Sequence, residues 1–201
     1  HSITLNDPIR LKLVNLKNRL KGWSATGTPV DCAKVAIKKL FNKKPALVIS
    51  GINIGANLGK NLIYSGTVSA AYEGAILGIP SAAISLDSFK VKSFTGAKYV
   101  ATSIANYLLQ HKLPKGTLLN VNVPALDKKD LKGFLITKQG SQSFIDTFEK
   151  RIDPRGNSYF WIKGEMVNND VSIEYDGEAV SKGYVSITPI NFSITNESYI
   201  N

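Results

Sequence analysis

The segment Ser50-Gly51-Ile52-Asn53-Ile54-Gly55-Ala56-Asn57-Leu58-Gly59, followed by Tyr64-Ser65-Gly66-Thr67, holds the residue types best suited to bind an anion. Its glycines and short polar side chains permit a tight backbone that can turn N–H groups toward a ligand. A helix that starts near Thr67 adds the partial positive charge of its N-terminus. Phosphate is the ligand this suits, with Gly55, Asn57, Ser65, Gly66 and Thr67 as the expected contacts. Asn53, directly after an apolar strand, offers a hard carbonyl oxygen of the kind that Mg²⁺ or Mn²⁺ accepts beside carboxylates. The same residue types also make tight turns and helix caps, so the pattern alone leaves both readings open.

A dinucleotide-binding fold competes for this segment, but the G-x-G-x-x-G spacing is absent. Asp87 lies near the end of the next strand without a supporting motif. Glu73, inside a helix beside Gly74, has two readings: pointing back to the loop, or bound to backbone donors. Asp31 stands in the first turn of a helix, where a carboxylate is favourable without any catalytic duty. Lys38, Lys39, Lys43 and Lys44 read as a solvated face rather than a nucleic-acid patch. Cys32, with no base partner, reads as a small core residue, and His111 ends a helix.

These side chains need a scaffold, and from residue 27 the sequence alternates helical and strand patterns as a parallel sheet with crossover helices requires. Thr28, Pro29 and Asp31 are a helix start: a hydroxyl cap, a proline at the first position, and a carboxylate in the first turn. Ala46 to Ile49 is apolar on both faces, which predicts a strand in the middle of a sheet. A helix from about Thr67 to Leu77, a strand from Ala82 to Leu86, a helix from Thr95 to Gln110 and a strand from Leu118 to Val123 follow. That run ends at Pro124, and an open α/β layer is expected for residues 27 to 124. Beyond it, short strands at Phe134 to Thr137, Tyr159 to Ile162 and Tyr184 to Thr188, with turn chemistry at Asp153-Pro154-Arg155-Gly156, predict an extended hairpin or arm.

With 201 residues, 43% hydrophobic and 20% charged, the chain has the composition of a globular protein large enough to bury a real core. Disorder and collagen are excluded, and its apolar runs fall far short of the roughly 20 residues that cross a bilayer. A single cysteine makes no intrachain disulfide, which fits a cytoplasmic protein. Two histidines, His1 and His111, leave little room for imidazole-pair chemistry. The net charge of +10 favours anionic partners.

Taken in order, the motifs resemble the SurE survival-protein nucleotidases. The likeness rests on Gly27-Thr28-Pro29-Val30-Asp31-Cys32, Ser50-Gly51-Ile52-Asn53, Gly55, Asn57-Leu58-Gly59 and Tyr64-Ser65-Gly66-Thr67. It continues through Glu73-Gly74 with Gly78 and Pro80, the strand Ser81 to Leu86, and Asn120-Val121-Asn122-Val123-Pro124. Gln139-Gly140, Asp153-Pro154-Arg155-Gly156, Tyr159-Phe160-Trp161 and Gly183 to Pro189 complete it.

The resemblance implies a Rossmann-like three-layer α/β core over residues 1–124 and a C-terminal extension, 125–201, with a β-hairpin arm and a return strand. It implies a metal-dependent phosphomonoesterase acting on nucleoside 5′- and 3′-monophosphates, and on polyphosphate, with Mg²⁺ or Mn²⁺ as cofactor. It also implies a homodimer or homotetramer joined through the arm, with neither membrane nor nucleic acid as partner. By the same likeness Asn53 is a metal ligand, and Ser65-Gly66-Thr67 lies beside the phosphate. The family's other ligands are an adjacent aspartate pair and a serine in a later loop; no Asp-Asp pair occurs in these 201 residues. A preceding stretch of roughly 40 residues, about one strand-helix-strand unit, is expected to carry them in the natural protein. The competing readings are a nucleotide- or RNA-binding module that keeps only the phosphate loop, and a cofactor-binding domain without turnover.

Overall fold

The computed structural model describes residues 3–16, 18, 20–90, 93–193, 195 and 199; His1 lies outside them. The first elements, for which no periodicity announces itself, are an antiparallel ribbon of β1 (Leu11–Asn15) and β2 (Lys21–Ala25). Helix α1 (Pro29–Val35) then begins where the sequence places it and runs on as a wider π-type turn through Leu40. After it come β3 (Val48–Ile54), a 3₁₀ turn (Gly59–Tyr64) and α2 (Gly66–Ile76). Then follow β4 (Ser81–Asp87), α3 (Thr95–Gln110) and β5 (Thr117–Pro124). The extension supplies β6 (Phe134–Ile136), a long hairpin of β7 (Ser143–Ile152) and β8 (Ser158–Val167), α4 (Asp176–Ser181) and β9 (Val185–Asn191).

Five strands form the central sheet in the order β3-β4-β5-β9-β6. The first three are parallel, as crossover helices demand. β9 pairs antiparallel with β5, and β6 runs parallel to β9, so the sheet is mixed where the extension joins it. β7 and β8 form a separate ribbon.

One face of the sheet is apolar along its length. Ala82, Ile84 and Leu86 of β4, Leu119, Val121 and Val123 of β5, and Val185 and Ile187 of β9 pack on Ala97, Val100, Ile104 and Leu108 of α3. On the other face, Val68, Ala71 and Ala75 of α2 pack on Ala83 and Leu118. The strands step in one direction while α2 and α3 lie on opposite faces, so the two crossovers have opposite hands. A short crossover is almost always right-handed; here the β3–α2 connection is long and travels over β4 and β5 before the helix begins.

Two expectations need correction. The strand expected at Ala46 to Ile49 in mid-sheet runs from Val48 to Ile54 and is an edge strand among the described residues. Its ladder starts only at Val48, whose N–H donates to Pro80 O at 2.9 Å. Cys32 is exposed rather than in the core, because the inward side of α1 is taken by Val30 and Asp31. Near the end of β3, the Gly51–Ile52 peptide is cis and the β3–β4 register shifts between Gly51 and Asn53. Gly51 has φ +118°, and a Cβ there would stand 2.2 Å from Ile84 O, so glycine alone fits.

Candidate phosphate-binding site

Asn53 stands one residue before the end of β3, half-buried, and its Nδ2 donates to Gly55 O at 2.8 Å. That leaves Oδ1 as its uncommitted end among the described residues. Gly55 N–H donates to Leu86 O at 3.0 Å, prolonging the β3–β4 ladder. The chain then crosses the sheet and is held there by asparagines.

The registers put Ser85 beside Asn122, Asn122 beside Ser186, and Asn120 beside Thr188, all on the face opposite α3. Where α2 no longer covers that face, these buried polar side chains receive the loop. Asn57 N–H donates to Asn122 Oδ1 at 2.8 Å and Asn57 Nδ2 to Ser85 Oγ at 2.6 Å. Asn57 O in turn accepts from Asn120 Nδ2 at 2.9 Å and Asn122 Nδ2 at 3.0 Å. Thr137 Oγ1 closes the layer at 2.8 Å from both Ser186 Oγ and Thr188 Oγ1. In a buried setting such a network holds its members firmly, because each lost bond strands a desolvated partner.

The connection ends at Ser65, which caps α2: its Oγ accepts from Val68 N–H at 3.1 Å. Ser65 N–H is itself committed, to Leu62 O at 3.2 Å. The next two N–H groups, of Gly66 and Thr67, find no acceptor among the described residues, and neither does the Thr67 hydroxyl. They are the orphan donors of a helix start, at the carboxyl edge of the parallel strands, where open α/β sheets bind ligands. The five residues expected to contact phosphate therefore divide by their hydrogen bonds. Gly55, Asn57 and Ser65 have their N–H groups committed to the frame, while Gly66 and Thr67 keep theirs.

Helix α1 brings its own start alongside, since a Cβ on Gly66 would lie 3.0 Å from Pro29 Cγ. Its first turn is closed by a capping box: Asp31 N–H donates to Thr28 Oγ1 at 3.2 Å and Thr28 N–H to Asp31 Oδ2 at 2.9 Å. The Thr4 hydroxyl also donates to Asp31 Oδ2 at 2.6 Å. That hydroxyl, with the Thr28 and Thr4 N–H groups, holds the carboxyl down to about 2 from an ordinary 3.8, against its burial. The sign follows from linkage. A carboxyl lowered in the folded state contributes stability that is complete above about 3.8 and is lost as the pH falls toward 2. Acid unfolding followed by circular dichroism should show this loss between those values, and Asp31→Asn should flatten that limb of the curve.

Glu73 turns away from the loop. Its Oε1 meets Lys34 Nζ of α1 at 2.9 Å, so this carboxylate ties α2 to α1. Ser85, Asn120 and Asn122 hold the loop without belonging to it, and the one local sign of them is asparagines alternating with valines in a buried strand.

Toward a metal ion, Asn53 would supply one hard, neutral oxygen. Among the described residues no group of three His, Cys, Asp or Glu side chains is placed to hold an ion. These residues fit one corner of a Mg²⁺ or Mn²⁺ site and do not by themselves complete one.

The profile of the family described as survival protein SurE matches residues 1–146. The chain belongs to the SurE family. A 5′-nucleotidase SurE of Syntrophus aciditrophicus is 45% identical over 196 residues, 97% of this chain and 74% of that protein. A 5′-nucleotidase SurE of Thermosynechococcus vestitus is 46% identical over 201 residues, again 97% of this chain and 76% of the other. The crystal structure of a SurE protein from Aquifex aeolicus superposes with a TM-score of 0.80 at 38% identity, covering all of this chain and 80% of that one. The α/β core with its appended extension is thus the SurE architecture. No helix among the described residues is long and apolar enough to cross a membrane.

Proposed function

We propose that this chain is a nucleotidase, a phosphoric monoester hydrolase acting on nucleoside 5′-monophosphates, with 3′-monophosphates and polyphosphate as further substrates. The observation that carries this reading is the identity of 45 and 46% with two proteins named 5′-nucleotidase, over 97% of the chain in each case. The geometry supports it, because a phosphate monoester carries about two negative charges at neutral pH and the free donors of Gly66 and Thr67 suit its oxygens. Gly55, Asn57 and Ser65 shape the loop around them. In the reaction, water forms a new bond to phosphorus as the ester P–O bond breaks, and the departing nucleoside oxygen takes up a proton. N–H groups fixed at the helix start would stabilise that charge without reorganising. A divalent ion, Mg²⁺ or Mn²⁺, would neutralise further charge there, with Asn53 as one ligand. The likeness to the family assigns the remaining ligands to an adjacent aspartate pair and a serine in a later loop, and no Asp-Asp pair occurs in these 201 residues.

The test is phosphate release from a panel of nucleoside monophosphates by the full natural gene product, with Mg²⁺, with Mn²⁺ and with chelator. Release from a 5′-monophosphate that chelator abolishes is the expected result. No release from any monophosphate with either metal overturns the reading.

The β7–β8 ribbon supports assembly as a homodimer or homotetramer. Phe148, Ile152, Phe160 and Ile162 share one face of it by register and are all more than half exposed, and contiguous exposed apolar side chains mark contact surfaces. A second copy of the chain is the occupant proposed for it. Replacing residues 147–163 by a two-residue glycine turn is expected to leave a folded monomer, read as a halved or quartered mass in sedimentation equilibrium.

A further inference from the structure

Asp176 is fully buried at the start of α4, and among the described residues no lysine or arginine is paired with it. An uncompensated carboxylate is a costly way to fill an interior position. What surrounds it are three backbone donors from three segments. Gly59 N–H donates to Oδ2 at 2.9 Å, while Gly140 N–H and Gly177 N–H donate to Oδ1 at 2.9 and 2.8 Å. Only a side chain that accepts at both ends and donates at neither can serve all three, which excludes an amide.

The first of these donors belongs to the loop. Gly59 opens the 3₁₀ turn that runs to Tyr64 and delivers Ser65, Gly66 and Thr67 to the head of α2. The second stands three residues before β7, at the root of the hairpin. Three further bonds link the same two places. Gln139 Nε2 donates to Gly59 O at 2.9 Å, Lys60 N–H to Gln142 O at 2.8 Å, and Asn61 Nδ2 to Met166 Sδ of β8 at 3.6 Å. The approach is so close that a Cβ on Gly59 would stand 2.3 Å from Gln142 O.

We propose that Asp176 is a positioning residue for the phosphate site: through Gly59 it fastens the loop to the root of the β7–β8 hairpin, so that hairpin placement sets the donors of Gly66 and Thr67. The proposal rests on the reading of those donors as a phosphate site. It makes the arm part of the active-site apparatus as well as a contact surface. A partner that displaces the arm would alter substrate affinity without touching substrate.

The test uses the full natural gene product, Asp176→Asn and, as a milder cut in the same clamp, Gln139→Leu. Three measurements are made: affinity for inorganic phosphate by calorimetry, KM and kcat for adenosine 5′-monophosphate, and amide exchange at the hydrogen-bonded Gly59, Lys60 and Ser65 against Ile84 and Val121. In Asp176→Asn, phosphate affinity is expected to fall and KM to rise about tenfold, the scale of one charge-assisted bond, with kcat changed less than about threefold. Exchange should quicken at Gly59, Lys60 and Ser65 and stay slow at Ile84 and Val121. Gln139→Leu should show the same split at a smaller size, and it decides the matter if Asp176→Asn does not fold. Wild-type affinity and KM in a folded variant overturn the proposal alone, as does a uniform rise in exchange with KM unchanged. If the wild-type protein neither binds phosphate nor hydrolyses the monophosphate, the phosphate-site reading itself fails and takes this proposal with it.

Discussion

Asn53→Ala is expected to lower kcat/KM for nucleoside monophosphates by about 100-fold or more, the usual cost of deleting one preorganised polar contact at a phosphoryl site. The loss has two sources. The alanine has no Oδ1 to offer a cation or the phosphoryl group, and it no longer holds Gly55 O through Nδ2. Asn53 is only half-buried and its side chain makes no other hydrogen bond among the described residues, so thermal unfolding should move by a few degrees at most. A steady-state assay paired with a melting curve separates these effects. If the melting temperature collapses together with activity, Asn53 is a structural residue and its assignment as a ligand is lost.

Asn122→Ala is expected to do the reverse, with a large cost in stability and a loss of activity that follows from it. Asn122 is fully buried and makes two bonds to one residue, accepting from Asn57 N–H at 2.8 Å and donating to Asn57 O at 3.0 Å. Alanine leaves the Asn57 N–H without a partner in the interior and opens a small void beside it. The unpaired donor and the void together should cost about 3 kcal/mol. For a chain of this size that is a fall of about 6–12 °C in melting temperature. Asn57 O keeps its bond from Asn120, so the loop should loosen rather than detach. Amide exchange at Asn57 is the direct readout, and an unchanged rate there would show that the asparagine layer does not hold the loop.

The two variants probe different parts of what was legible in the chain. Asn53 and the helix start at Gly66 and Thr67 could be read from residue type and position, because a strand end followed by glycines and a capped helix is a local pattern. The cap at Thr28 and Asp31, the full span of α3 and the strand over β5 were legible for the same reason: each depends on neighbours a few residues away. The β7–β8 ribbon was only partly so, since its β8 half carries Tyr159 to Ile162 while β7, from Ser143 to Ile152, mixes charges with aromatics and gives no clean alternation.

By itself the sequence determined the α/β class, the order of the main strands and helices, the place of the glycine- and asparagine-rich loop between β3 and α2, and a SurE resemblance along nearly all of the chain. Only the tertiary structure decided that α2 and α3 lie on opposite faces, that β3 is an edge strand among the described residues, and that β9 joins the sheet antiparallel. It also decided which loop residues are frame and which are free: Asn57 faces inward because Ser85, Asn120 and Asn122 meet it from strands 28 to 65 residues away. The tie from Gly59 to Asp176 spans 117 residues. Periodicity and capping report only on neighbours along the chain, whereas a buried donor takes whichever acceptor the folded topology brings within about 3 Å.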